Sequence, residues 1–125
     1  MMRVALGLGF RAGVTAVQLD AAIRAALVRH PDAQPVVVAT LDAKRGARAL
    51  RTLCARRGWP LVGFSAAQLA ARPELAASGP SAAALARFGV AGVAEPCAQL
   101  AAPHGSLLGP KLAHDGVTVA LAGPL

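Results

Sequence analysis

The chain has no tyrosine, one tryptophan and three phenylalanines among its 125 residues, so platforms on which unpaired bases could stack are nearly missing. Binding of single-stranded nucleic acid is therefore disfavoured. Cys54 and Cys97 are the only cysteines, far apart, with no CxxC and no histidine at ligand spacing. That gives no disulfide framework and no metal site, and both read as small core residues. His30, His104 and His114 share no motif with a serine, aspartate or cysteine, so no nucleophilic triad is legible. No uncharged stretch offers the roughly 18 apolar residues of a membrane span, because Pro103, Gly105, Gly109 and Pro110 break the longest. The apolar start is cut short at Arg11 with no cleavage site close behind, so it reads as a core strand of a cytoplasmic protein and not as a leader.

Acidic residues are also few, six against 13 lysines and arginines, for a formal charge of +7. Such a field attracts nucleic acid, anionic lipid or a polycarboxylate, although an alanine- and arginine-rich composition can also reflect base-composition bias. Lys44, Arg45, Arg48, Arg51, Arg56 and Arg57 concentrate much of the charge, yet no Asn or Gln lies between Asp42 and Trp59 to reach base edges. Neither a nucleic-acid nor a membrane partner is expected. Hydrophobic residues make up 55%, enough for a packed core, and the length suits one domain over residues 1–125.

Apolar, β-branched runs alternate with helix-length segments, which predicts a three-layer α/β/α domain with a mostly parallel or mixed central sheet. Val4 to Leu8 is the first strand. Thr15-x-x-Gln18 is a capping box opening a helix to about Arg29, with Leu19, Ala22, Ile23, Ala26 and Leu27 on one stripe and Asp20 paired with Arg24 on another. Pro35 to Ala39 lacks polar alternation and reads as a strand covered on both faces. A basic helix over residues 46–57, a strand Leu61 to Phe64, and a second capping box Ser65-x-x-Gln68 follow. Pro80-Ser81 starts a further helix to about Phe88, and Glu95 to Ala101 forms another. Ser106 to Leu108 and Val117 to Leu121 close the sheet, with turns at Gly109-Pro110 and Asp115-Gly116.

Ligands of parallel α/β sheets bind at the carboxyl ends of the strands, which nominates two loops. Gly7, Gly9 and Gly13 let backbone approach an anion, and Arg11 adds a fork of donors. The spacing G-x-G-x-x-x-G is one residue longer than the dinucleotide fingerprint, and no acid ends the second strand to hold a ribose. A nucleotide-binding α/β domain therefore stays a weaker alternative, as does a basic nucleic-acid module. The second loop brings Thr40, Asp42 and Lys44 to the same edge. Asp42 either orients Lys44, accepts a proton, or caps a helix. Glu95 either caps a helix or serves in acid/base work. Ser81 either caps or touches ligand, and Lys111 is either a surface charge or a further anion contact. The expectation is one cationic hollow gathering Arg11, Thr40, Asp42 and Lys44.

Taken together, Gly7-Leu8-Gly9-Phe10-Arg11-Ala12-Gly13, Ala39-Thr40-Leu41-Asp42-Ala43-Lys44, the segment Gly89 to Ala98 with Glu95, and Leu108-Gly109-Pro110-Lys111 with Val117 to Ala120 resemble the CobE and CbiG C-terminal domain family of cobalamin (vitamin B12) biosynthesis. The resemblance spans nearly the whole chain. It implies action at the precorrin stage on a polycarboxylate tetrapyrrole, with other enzymes of the pathway as partners and no cofactor. CbiG-type proteins open the lactone of cobalt-precorrin-5A and release a two-carbon aldehyde, so the resemblance allows either a carrier or a hydrolase. In the hydrolase, Asp42 or Glu95 would activate water while Lys44 and Arg11 stabilise the developing carboxylate.

Overall fold

The computed structural model describes residues 1–125. Strand β1 (Met2–Gly9) leads into helix α1 (Ala16–Val28), strand β2 (Ala33–Leu41), a 3-10 turn at Asp42–Lys44 and helix α2 (Arg48–Arg57). Strand β3 (Leu61–Phe64), helix α3 (Ala66–Ala70), a 3-10 turn at Pro73–Leu75, and helices α4 (Ala82–Phe88) and α5 (Ala94–Ala101) come next. Strands β4 (Ser106–Leu107), β5 (Leu112–His114) and β6 (Val117–Gly123) complete an open mixed sheet of order β3-β2-β1-β6-β4, with β5 also on β6. The first three strands are parallel, and β6 runs antiparallel to β1.

Side-chain alternation splits the sheet into two unlike faces. Val4, Leu6 and Leu8 of β1, with Val117, Val119 and Leu121 of β6, pack large side chains against Leu19 and Ile23 of α1 and Leu50 and Leu53 of α2. The alternate residues Ala5, Ala120 and Ala122 meet Ala94, Ala98 and Ala102 in a layer whose fully buried members are all alanine. Small side chains let α5 lie close, and Gly7 takes this to the limit. A Cβ on Gly7 would collide with the Ala94 carbonyl and come within 2.7 Å of the Ala98 nitrogen. Gly7 therefore seats a helix and stands outside the lining of the pocket described below.

Local signals act as their chemistry dictates. Thr15 and Gln18 close the capping box at the start of α1, and Ser65 and Gln68 do the same for α3. Asp20 accepts from both Arg24 at 2.8 Å and Arg57 at 2.6 Å, so the expected pair within α1 extends into a tie to α2. Pro80 precedes the Ser81 cap of α4 and lies outside the helix. The strand β5 is an addition to the sequence reading. Asp115 and Gly116, both at positive φ, form the two-residue turn that a twisted hairpin favours, and β5 folds back on β6 through it.

Both thiols are buried, and burial raises Cys54 to about 11 and Cys97 to about 12. Between about pH 9 and those values the unfolded chain gives up thiol protons that the folded chain keeps, so stability falls as pH rises through that window. Cys97→Ala should lessen this alkaline loss, measured as denaturant midpoints at pH 8 and 11. An equal loss in variant and parent would contradict the assignment.

Candidate functional site

The carboxyl end of β1, the start of β6 and the hairpin before it lie on one edge of the sheet. There a pocket of about 290 Å³ opens toward α4 and the start of α5. Gly9 and Thr118 face each other across the two strands, the Thr118 hydroxyl donating to the Gly9 carbonyl at 3.3 Å. A side chain at residue 9 would strike that hydroxyl. Phe10, Phe88 and Val93 supply apolar wall, and Arg11, Arg87 and Lys111 supply charge.

These three cations have no acidic partner. Asp20 holds Arg24 and Arg57, Asp42 holds Arg45 at 3.4 Å, and Glu74 holds Arg72 at 2.7 Å. The remaining acid at the pocket, Glu95, is 2% exposed and engages no cationic side chain. Its Oε1 accepts from the Ser78 N–H at 2.9 Å, and its Oε2 accepts from the Ser78 hydroxyl at 2.6 Å and the Lys111 N–H at 3.2 Å. Even with Glu95 counted as an anion, the lining keeps a positive excess.

Backbone adds to that excess. Helix α5 begins without a side-chain cap at Val93. No hydrogen bond within the chain uses the N–H of Ala94 or Glu95, and Pro96 has none to offer. These free donors, at the positive end of the helix, border the pocket. The start of α1, in contrast, is closed by its own capping box, so the uncapped helix terminus at the pocket is that of α5 and not the one after the glycine loop.

The expected hollow of Arg11, Thr40, Asp42 and Lys44 does not form. Thr40 is fully buried and donates to the Leu8 carbonyl at 2.8 Å, locking β2 to β1. Strand alternation explains this, since Ala39 and Leu41 turn toward the α4 side while Thr40 turns with Val38 toward α1 and α2. Asp42 lies by Gly63 of β3 and pairs with Arg45, away from Lys44. The Lys44 Nζ sits 5.7 Å from the centre of the Phe10 ring and 5.9 Å from that of Phe88, a cation held between two pocket aromatics. Gly13 occupies an open turn at φ +86° outside the pocket. Of the expected residues, the pocket brings together Gly9, Arg11, Ser81, Glu95 and Lys111. Ser81 does so while capping α4, accepting from Ala84 N–H at 3.2 Å. Phe10, Arg87, Phe88 and the free donors of α5 went unread, because only the return of α4 over the sheet edge makes them neighbours.

An open α/β sheet with a basic, partly apolar pocket at the carboxyl edge of its strands, the place where ligands of such sheets bind, defines a small α/β protein. The chain belongs to the family described as "Cobalamin synthesis G C-terminus", which matches residues 4–122. It is similar to the crystal structure of CobE, a protein from the cobalamin (vitamin B12) biosynthetic pathway, at 30% identity and a TM-score of 0.86, covering 97% of this chain and 89% of that one. The cobalamin biosynthesis protein chiG from Agrobacterium tumefaciens shares the fold at 24% identity and a TM-score of 0.72, covering 95% of this chain and 96% of that one. No curated protein sequence matches significantly.

Proposed function

We propose that the chain works as one cytoplasmic domain at the precorrin stage of cobalamin synthesis, binding a polycarboxylate tetrapyrrole at the basic pocket. The observation that carries this reading is the set Arg11, Arg87 and Lys111, three cations at one pocket, none of them in an ion pair and together outnumbering the one acid there, Glu95. Carboxylates are the ligand chemistry that guanidinium forks and free helix N–H groups complement. A volume of about 290 Å³ lies just below the roughly 300–1,000 Å³ of ligand pockets. It suits one rim of a macrocycle, with acid arms on the cations and ring against Phe10, Phe88 and Val93. Family membership supplies the pathway.

Uroporphyrin, a macrocycle bearing eight carboxylates, serves as a probe whose absorption bands report binding. The parent protein should shift those bands at tens of micromolar or below. Arg11→Ala/Lys111→Ala should weaken binding by about 100-fold, on the order of 1.5 kcal/mol for each charge-assisted contact. No band shift by the parent, or equal shifts by both proteins, would contradict the reading.

One observation favours catalysis beyond binding. Glu95 borders the pocket and its Oε1 accepts a single hydrogen bond, leaving a lone pair that could take a proton from water attacking a lactone, the step of precorrin-5A opening and two-carbon release. Incubation with a lactone-bearing corrin separates the two readings. A new product, lost in Glu95→Gln while binding persists, marks a hydrolase. An unchanged compound marks a carrier that hands its cargo to other enzymes of the pathway.

A further inference from the structure

Helix α4 is attached to the rest of the fold through little surface. Only Ala84 is buried along it, and Leu85 stands 49% exposed. The excursion is pinched at its neck, where the Ser81 N–H donates to the Ala91 carbonyl at 2.7 Å. It turns at Gly79 and Gly89, both at positive φ with open space where a side chain would stand. What this outlying helix brings to the pocket is Arg87 and Phe88. Arg11, in contrast, follows β1, and Lys111 directly precedes β5. Lys111 is fixed there by its own N–H on Glu95, where Gly109 and Pro110 interrupt the edge between β4 and β5.

The cations thus sit on two separately anchored bodies, with apolar rings between them. We propose that Arg87 is a specificity-determining residue that takes a second carboxylate of the ligand while Arg11 and Lys111 hold the first. The ligand class this selects is an apolar ring system carrying at least two acid arms on one rim. Phe88 meets the ring between them, steadied from behind by Lys44 at 5.9 Å. Arg87 is exposed and makes no ion pair, so its side chain has no structural duty that binding would have to replace. The inference rests on the proposed function, to which it adds the least number of acid groups the ligand carries.

The experiment compares uroporphyrin with a porphyrin bearing a single carboxylate, each titrated into the parent, Arg87→Ala, Arg87→Lys and Arg56→Ala. Arg56, exposed on the opposite side of the sheet in α2, controls for net charge. Arg87→Ala should lose about tenfold in affinity for the polyacid, equal to about 1.4 kcal/mol, and flatten its salt dependence. It should leave the monoacid unchanged. Arg87→Lys should recover part of the loss, and Arg56→Ala none of the effect should touch. A parent that binds uroporphyrin equally with or without Arg87 overturns this inference alone, and so does an equal loss on both porphyrins. A parent that binds neither overturns the proposed function, and this inference with it.

Discussion

Gly7→Ala is expected to destabilise the fold by about 3 kcal/mol or more, a thermal shift on the order of 10 °C for a chain of this size. The added methyl would meet the Ala94 carbonyl and the Ala98 nitrogen, and those are backbone atoms of α5 that no rotamer change can move aside. Relief requires lifting the helix off β1. That would open the alanine layer, where Ala5, Ala94, Ala98, Ala102, Ala120 and Ala122 are each at most 2% exposed. Because the start of α5 also carries the free N–H groups of the pocket, ligand affinity should fall in step with stability. Gly13→Ala is the comparison. It is strained by φ +86° but meets nothing within 4 Å, so its cost should stay near 1 kcal/mol. Equal thermal midpoints for the two variants would contradict the account of the helix seat.

Glu95→Ala should cost about 3 kcal/mol, for a different reason. The carboxylate accepts three hydrogen bonds while buried at 2% exposure, and removing it leaves a cavity and unpairs three part-buried donors, at roughly 1–3 kcal/mol for each that water does not reclaim. The loss also unties the Ser78 loop and Lys111 from α5, so the pocket should lose shape as well as stability. Glu95→Gln keeps the volume but brings an amide NH₂ against one of the donors. It should land between the parent and Glu95→Ala. Denaturant midpoints read the order. If Glu95→Ala falls within 0.5 kcal/mol of the parent, the side chain is no clamp.

The sequence made the frame legible and misplaced part of the site, and particular residues show why. Both capping boxes, the strand at Leu61–Phe64 and the turn at Asp115-Gly116 depend on chemistry within a few residues, so they could be read locally. Three elements defeated that approach. Thr40 looks like a site hydroxyl because it ends a strand, yet the period-2 alternation that places Ala39 and Leu41 on the α4 side sends it to the other face. Asp42 stands two residues from Lys44, but a 3-10 turn aims the two in different directions, one at Arg45 and one at a pair of rings. The third is Arg87. Nothing local marks it, since the cations it joins at the pocket, Arg11 and Lys111, are more than 20 residues away on either side. Lys111 and Glu95 each stand out in the sequence only singly, and the backbone bond that joins them needs the interrupted edge strand to exist first.

The central claim is that the start of α5 and the three unpaired cations receive carboxylate arms of one ligand. Backbone amide shifts of ¹⁵N-labelled protein titrated with uroporphyrin test it most directly. The account predicts the largest downfield amide-proton shifts at Ala94 and Glu95, saturating together with shifts at Arg11 and Lys111, and little change along α2. Shifts centred on Arg48 to Arg57, with Ala94 and Glu95 unmoved, would contradict it.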